Sequence, residues 1–293
     1  MKQPIDLIIF DFSGTLSLGS VEFGKSENLL PVLESSGLVK LGVASEAFFW
    51  DEIVYPTWVE GSTTGRGYLG VLVDRIRDLE LYAPDDPHRD KTIQAAVSYL
   101  LDRYFEQCRI DLRWRTLLQD LNEHPAVQVV VATDHYAEAT PMISGRLKDW
   151  HIDAVTLSQV VPGTRNPFII ANSSDMGCHK ADVRFWQLIS DKLSLAGPYR
   201  VLLIDDFGGN EDSSDPYGNP ERVLIRRKET DRVLRDVFRD RVEIHSFIVQ
   251  RPHDDHVHAP DRDGLYSLHI SMAVSHIRAF LGSARDKSSP SRV

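Results

Sequence analysis

Short apolar runs that close on a polar residue recur along this chain, separated by stretches with helical spacing. The first run, Leu7, Ile8, Ile9 and Phe10, ends at Asp11, and Gly14 and Thr15 then turn the backbone. A second, Val127 to Ala132, leads into Thr133, Asp134 and His135, and a third, Arg200 to Ile204, leads into Asp205 and Asp206. Uninterrupted apolar runs of this length suit strands buried on both faces, as in parallel sheets. Further strands are expected at Ala154 to Leu157 and Val242 to Val249, and a short apolar run stands at Val223 to Ile225. Helices are expected at Leu112 to Leu121, Tyr136 to Trp150, Val183 to Leu193, Asp231 to Phe238 and Leu268 to Leu281, with Gly282 to Val293 a frayed tail. Strands alternating with helices predict an α/β fold, a doubly wound parallel sheet with helices on both faces.

Residues 17–110 have another texture. Apolar positions there recur at helical spacing, as in Leu69, Leu72, Val73, Ile76 and Leu79, and again in Ile93, Ala96, Val97, Leu100, Leu101, Tyr104 and Phe105. Ala44 to Trp58 is aromatic-rich and broken by Pro56, and these stripes are read as packing between helices. The polar loop Glu60 to Tyr68 lacks the Gly-Lys-Ser/Thr ending of a nucleotide-binding loop and reads as a connector. If it meets an anionic substrate, Arg66 is the residue that faces it. The expected organisation is an α/β core from residues 1–16 and 111–250, a helical insert over 17–110 and an extension over 251–293.

Composition narrows the function. The chain has 293 residues, 42% hydrophobic and 26% charged, with a formal charge of −10. That charge argues against general nucleic-acid binding, which needs a basic face, but leaves room for a small anion in a locally positive pocket. Cys108 and Cys178 are the two cysteines, too few for a disulfide framework. No apolar run is long enough to span a bilayer, and Asp11 interrupts the first run too early for a secretory signal. The expected setting is soluble and cytoplasmic.

Ligands of open α/β sheets bind at the carboxyl ends of the strands. Asp11, Thr133 and Asp205/Asp206 all stand there, and Lys180 stands at the start of the helix before the third of these strands. A carboxylate can carry a phosphoryl group, paired carboxylates attract a hard divalent cation, and a hydroxyl and an ammonium bind phosphate oxygens. Four such groups in this order are more informative together than singly.

On these residues the chain resembles the haloacid-dehalogenase superfamily over about Ile5 to Asp212. Asp11-Phe12-Ser13-Gly14-Thr15-Leu16 matches its first motif, Asp-x-Asp-Gly-Thr-Leu/Val, except at Ser13. Thr133 stands where the second motif has its Ser/Thr, Lys180 suits the third, and Asp205, Asp206 and Asn210 suit the acidic fourth. Lys148 is a rival for the third motif, set inside an expected helix. The helical insert fits the mobile cap of many members. The resemblance implies a Mg2+-dependent hydrolase of a small phosphorylated metabolite. In it Asp11 is nucleophile and metal ligand, and the Ser13 carbonyl, Asp206, Asn210 and Asp205 are further ligands. Thr133, the Asp134 amide and Lys180 bind the phosphoryl group.

Ser13 is the departure. Family phosphatases carry there an Asp that protonates the leaving group, a contribution of about 10²–10⁴-fold. A serine hydroxyl is too weak an acid to replace it, so the reading divides. The substrate's leaving group needs no proton, as in acyl phosphates, or His135 supplies one. Alternatively the bond is carbon–phosphorus, which requires a cap lysine from Lys25, Lys40 or Lys91. Or the protein binds phosphate compounds and turns them over poorly. The family's dehalogenases, which have Tyr at this position and no metal, fit less well because the acidic fourth motif is retained. His253, His256 and His258 alternate with acidic residues and are a lesser candidate for zinc or nickel, read mainly as a solvated loop.

Overall fold

The computed structural model describes residues 5–81, 87–194, 199–212, 217–249 and 261–286. Six strands form one sheet: β1 (Asp6–Phe10), β2 (Val127–Thr133), β3 (Ala154–Thr156), β4 (Phe168–Asn172), β5 (Val201–Asp205) and β6 (Val242–Ser246). Their order is β3-β4-β2-β1-β5-β6, and every pairing is parallel. The strands that carry the polar termini, β2, β1 and β5, are therefore neighbours at the centre, with Phe10 opposite both Val131 and Ile204.

The alternation along each strand shows why the sheet is wound on both sides. Ile8, Phe10, Val129, Val131, Leu202 and Ile204 face one layer, which includes Leu117, Leu118 and Leu121 of the Arg115–Glu123 helix. Leu7, Ile9, Val130, Ala132, Val201 and Leu203 face the other, against Phe185, Trp186 and Ile189 of the Val183–Leu193 helix. Both faces are dry, so these strands carry near-continuous Val, Ile and Leu.

Two elements differ from the expectations. The short apolar run Val223 to Ile225 lies within a helix, Pro220–Phe238, longer than the expected Asp231 to Phe238, that begins where Asn219 accepts bonds from the Glu221 and Arg222 amides. Strand β4, in turn, was not expected at all. The last helix runs Arg262–Asp286, past Gly282, and Ile270, Ala273, Ile277 and Phe280 bury against the first layer. His253, His256 and His258 lie outside the described residues.

Between Leu16 and Asp111 the chain forms helices Leu18–Phe23, Ser26–Ser36, Tyr55–Thr63, Gly67–Asp78 and Arg89–Gln107. They enclose their own cluster, with Leu29, Leu33, Ile53, Leu72, Ile93 and Val97 buried. Pro56 does not break the chain there: it sits in the first turn of its helix, where a missing amide proton costs nothing, after a wider helical turn over 49–54. The insert leaves and returns side by side, since the Asp111 amide donates to the Leu16 carbonyl at 2.9 Å. It is seated on the α/β part by several contacts, among them Ser173 Oγ donating to the Ser62 carbonyl at 2.6 Å and the Tyr104 hydroxyl 3.0 Å from His135 Nε2. The Glu138 carboxylate accepts from the Tyr68 and Leu69 amides at 2.7 and 3.2 Å. The Tyr68 and Tyr136 rings stack with centroids 3.8 Å apart.

Among the described residues, no helix is long and apolar enough to cross a membrane.

Candidate functional site

The ends of β1, β2 and β5 converge under the insert. Asp11 follows β1, and its amide donates to the Ile204 carbonyl at 2.9 Å, which fixes it beside the end of β5. Asp205 closes β5 and Asp206 follows it. Carboxylate oxygens of Asp11, Asp205 and Asp206 all lie within 4.8 Å of one another, and all three residues are buried. Between β4 and the Val183–Leu193 helix the chain returns Lys180 to this cluster. Its Nζ donates to Asp11 Oδ1 at 2.6 Å and to Asp205 Oδ2 at 2.7 Å. The lysine's backbone is held as well: its amide donates to Asp134 Oδ1 at 2.9 Å, and its carbonyl accepts from Trp186 Nε1 at 2.7 Å.

One buried ammonium thus faces three buried carboxyls and the Asp134 side chain. Burial pushes the Asp11 carboxyl well up, opposed by Lys180 and reinforced by Asp205 and Asp206. Burial and the neighbouring Asp205 lift Asp206 to about 7. Burial works against the Lys180 charge, but Asp11, Asp205 and Asp134 outweigh it, so the lysine holds its proton more firmly than usual. The site is short of positive charge, and its donors are all oxygens. That donor set fits a hard divalent cation such as Mg2+.

Two further observations fit an occupant. The Thr133 hydroxyl is fully buried at the end of β2 and has no hydrogen-bond partner among the described residues. Buried polar atoms in this state are rare and call for an explanation. Gly14, at φ +79°, lets the backbone pass over the Asp206 carboxylate; a Cβ there would come within 2.9 Å of both carboxylate oxygens. The turn is tied down from below by Thr15, whose hydroxyl accepts from the Asp206 amide at 3.1 Å.

A cavity of about 170 Å3 opens above these residues, lined by Asp11, Ser13, Thr133, Asp134, Lys180, Asp205 and Asp206 on the sheet side. These seven sequence-derived candidates meet there, and two others do not. Asn210 is no ligand in this arrangement. Its Oδ1 accepts from the Val249 amide at 2.7 Å, and its Nδ2 donates to the carbonyls of Gly14 and Phe247 at 2.7 and 2.9 Å. It braces the Gly14 turn, and its own amide steadies Asp206 Oδ2 at 3.0 Å. Arg66 is exposed on the insert, paired with Glu60 and Asp74, and the Tyr55–Thr63 and Gly67–Asp78 helices together absorb most of the expected loop. Lys148 is exposed at the end of the Ala139–Lys148 helix and away from the cavity lining.

Ser13 and His135, the residues in question for proton transfer, both line the cavity. Burial drops His135 to about 4, so it is neutral at pH 7. Its Nδ1 accepts from the Tyr136 amide at 2.8 Å, which leaves the proton on Nε2, 3.0 Å from the Tyr104 hydroxyl. Lys25, Lys40 and Lys91 do not line the cavity; Lys25 pairs with Glu22 at 2.6 Å and the other two are exposed.

Sequence reasoning missed the rest of the wall. Phe49, Trp50, Tyr55, Trp58 and Tyr104 of the insert line the cavity, as do Tyr217 and Arg226 from beyond β5. The Arg226 guanidinium covers the Tyr217 ring at 3.8 Å and donates to the Phe207 carbonyl at 2.8 Å. Helical spacing in the insert marked its aromatic residues as interior, and interior and cavity-facing positions carry the same signal.

No known protein family matches the chain by sequence, and no curated protein does. Solved structures do show similarity. One is 2-haloacid dehalogenase from Pseudomonas syringae pv. Tomato DC3000, 16% identical over 73% of this chain and 83% of that one, with a TM-score of 0.44. Another is YfnB of Bacillus subtilis, described as a HAD-hydrolase and solved bound to magnesium. It is 13% identical over 70% of this chain and 79% of its own, with a TM-score of 0.34.

Proposed function

We propose that this protein is a hydrolase of the haloacid-dehalogenase type that moves the phosphoryl group of a small molecule onto Asp11 and then to water. The observation that carries this reading is the meeting of Asp11, Lys180, Asp205 and Asp206 beside a buried Thr133 hydroxyl without a partner. Such a constellation in a cleft is a catalytic candidate on physical grounds.

An Asp11 carboxylate oxygen forms the new bond to phosphorus, while the bond from phosphorus to the leaving oxygen breaks and its electron pair departs with that oxygen. Water then attacks phosphorus, frees Asp11, and the water's proton ends on the released group. Lys180 neutralises Asp11 in the resting site and phosphoryl oxygens in the transition state. The Thr133 hydroxyl donates to one of those oxygens. Asp134 positions Lys180 through its amide. Asp11, Asp206 and the Ser13 carbonyl, with Asp205 alongside, would hold Mg2+, which supplies neutralisation of phosphate charge when bound.

Carbon–phosphorus cleavage is less favoured, because none of Lys25, Lys40 and Lys91 reaches the cavity lining. The phosphate-binding alternative separates from the hydrolase by experiment. Phosphate release from acetyl phosphate and phenyl phosphate in the presence and absence of magnesium tests the reading. Magnesium-dependent release that vanishes in Asp11→Asn supports it. Binding of inorganic phosphate without release of phosphate from either compound points to the weak binding protein instead.

A further inference from the structure

The cavity wall changes character from floor to roof. All of its charged lining, Asp11 and Lys180 included, comes from the α/β part, and the insert contributes none. What the insert contributes is largely apolar and mostly aromatic, Phe49, Trp50, Tyr55, Trp58, Tyr68 and Tyr104, beside aliphatic side chains such as Leu29 and Leu100. Trp50, Tyr55, Trp58 and Tyr104 are only half-buried; Trp50, Trp58 and Tyr104 also pack against the insert's own cluster, so these rings share their surface between that cluster and the cavity. Trp50 and Tyr55 stack at 6.0 Å, and Trp58 meets Tyr136 edge-on at 5.3 Å, so the rings hold one another in place. Pockets for small molecules are built this way, largely apolar with a few convergent polar groups. A cavity of roughly 150 Å3 holds benzene, and this one measures about 170 Å3. The room suits one ring.

A second, independent observation concerns the leaving group. Ser20 donates its hydroxyl proton to the Ser17 carbonyl at 2.7 Å, so the Ser13 hydroxyl, 2.8 Å away, gives its own proton to Ser20 and not to the cavity. His135 is neutral, with Nδ1 taken by the Tyr136 amide and Nε2 facing Tyr104. Neither Ser13 nor His135 therefore offers an acidic proton to a departing alkoxide, whose conjugate acid is about as weak as water, pKa about 15.7. A phenol has a pKa of about 10. Its oxyanion leaves with the phosphorus–oxygen bonding pair unaided and takes its proton from solvent.

We infer that the substrate is an aryl phosphomonoester, with a single ring seated against Trp50, Tyr55, Trp58 and Tyr104 and its phosphoryl group on Asp11 and Lys180. This deepens the phosphohydrolase reading and rests on it for the chemical step.

The test has two arms, both on the full chain with magnesium. In the first, kcat/KM is measured for phenyl phosphate and butyl phosphate, with acetyl phosphate as the acyl phosphate whose leaving group is small and already a good anion. In the second, calorimetry compares phenylphosphonate with methylphosphonate, which probe the ring without an ester to cleave. The expected result is a phenyl-over-butyl preference of about 100-fold or more, and phenylphosphonate binding tighter by about 10- to 100-fold. In Trp58→Ala and Tyr55→Ala, checked by thermal melting, the phenyl-over-methyl binding ratio falls toward one. If Trp58→Ala does not fold, Tyr55→Ala decides. Equal kcat/KM for the phenyl and butyl esters, or equal phosphonate affinities, overturns the aryl assignment and leaves the phosphohydrolase intact. Release of phosphate from none of the three compounds overturns the phosphohydrolase, and the aryl phosphomonoester as a substrate with it.

Discussion

The side-chain oxygens of Ser13 and Ser20 lie 2.8 Å apart, which ties the hydroxyl at the expected acid position into the insert's first helix. Ser13→Asp puts a carboxyl where the family resemblance has its proton donor. We expect it to raise alkyl phosphate hydrolysis by about 10²-fold, the low end for general acid catalysis, because the surroundings of Ser13 are not shaped for a carboxyl. Aryl esters, which need less help, should gain less. Initial rates of phosphate release on butyl and phenyl phosphate check this; an unchanged butyl rate means that protonation does not limit the reaction.

Lys180 is the buried cation between Asp11 and Asp205, so its removal leaves like charges together in a dry site. Lys180→Met is expected to lower stability by about 3–5 kcal/mol and to abolish turnover. Added magnesium should recover part of the stability by replacing the lost positive charge. Urea titrations with and without magnesium decide it, and an unaltered midpoint would show that Lys180 does not neutralise this cluster.

His135 makes the fold sensitive to acid. Burial holds it at about 4 when folded, whereas it titrates near about 6.5 unfolded. Protons therefore favour the unfolded chain: the stability tied to the neutral ring is complete above about 6.5 and is lost as pH falls toward about 4, about 3 kcal/mol in all. His135→Gln should flatten that part of the profile. Urea midpoints at pH 7 and pH 4.5 for both proteins measure it, and parallel losses would refute the assignment.

Much of this arrangement was legible because a parallel sheet turns sequence into position. Runs such as Leu7 to Phe10 and Val127 to Ala132 can be buried on both faces only inside such a sheet, and the residues that close them must then share an edge. Asp11, Thr133, Asp205 and Asp206 meet for that reason, and the segment after β4 brings Lys180 to them. Phe168 to Asn172 escaped notice since five residues following Pro167 resemble a loop that happens to be apolar. Val223 to Ile225 is ambiguous by itself, three apolar residues in a row being compatible with strand or helix until Asn219 and Pro220 are recognised as a helix start. Asn210 has the right spacing for a ligand, but spacing does not say that its carboxamide turns to the Val249 amide and the Gly14 carbonyl. The aromatic roof was hidden for a different reason. A ring facing a cavity and a ring facing a core have the same periodicity, so only the three-dimensional arrangement separates Trp58 from Leu72.

The account stands on Asp11 as the group that takes the phosphoryl. Mass spectrometry of the acid-quenched protein, after brief mixing with phenyl phosphate and magnesium, reads this directly. The expected result is a phosphoryl group on the peptide that contains Asp11, absent from Asp11→Asn and from the magnesium-free sample. Phosphate released at full rate with that peptide never modified, or an Asp11→Asn protein that still turns over, would contradict it.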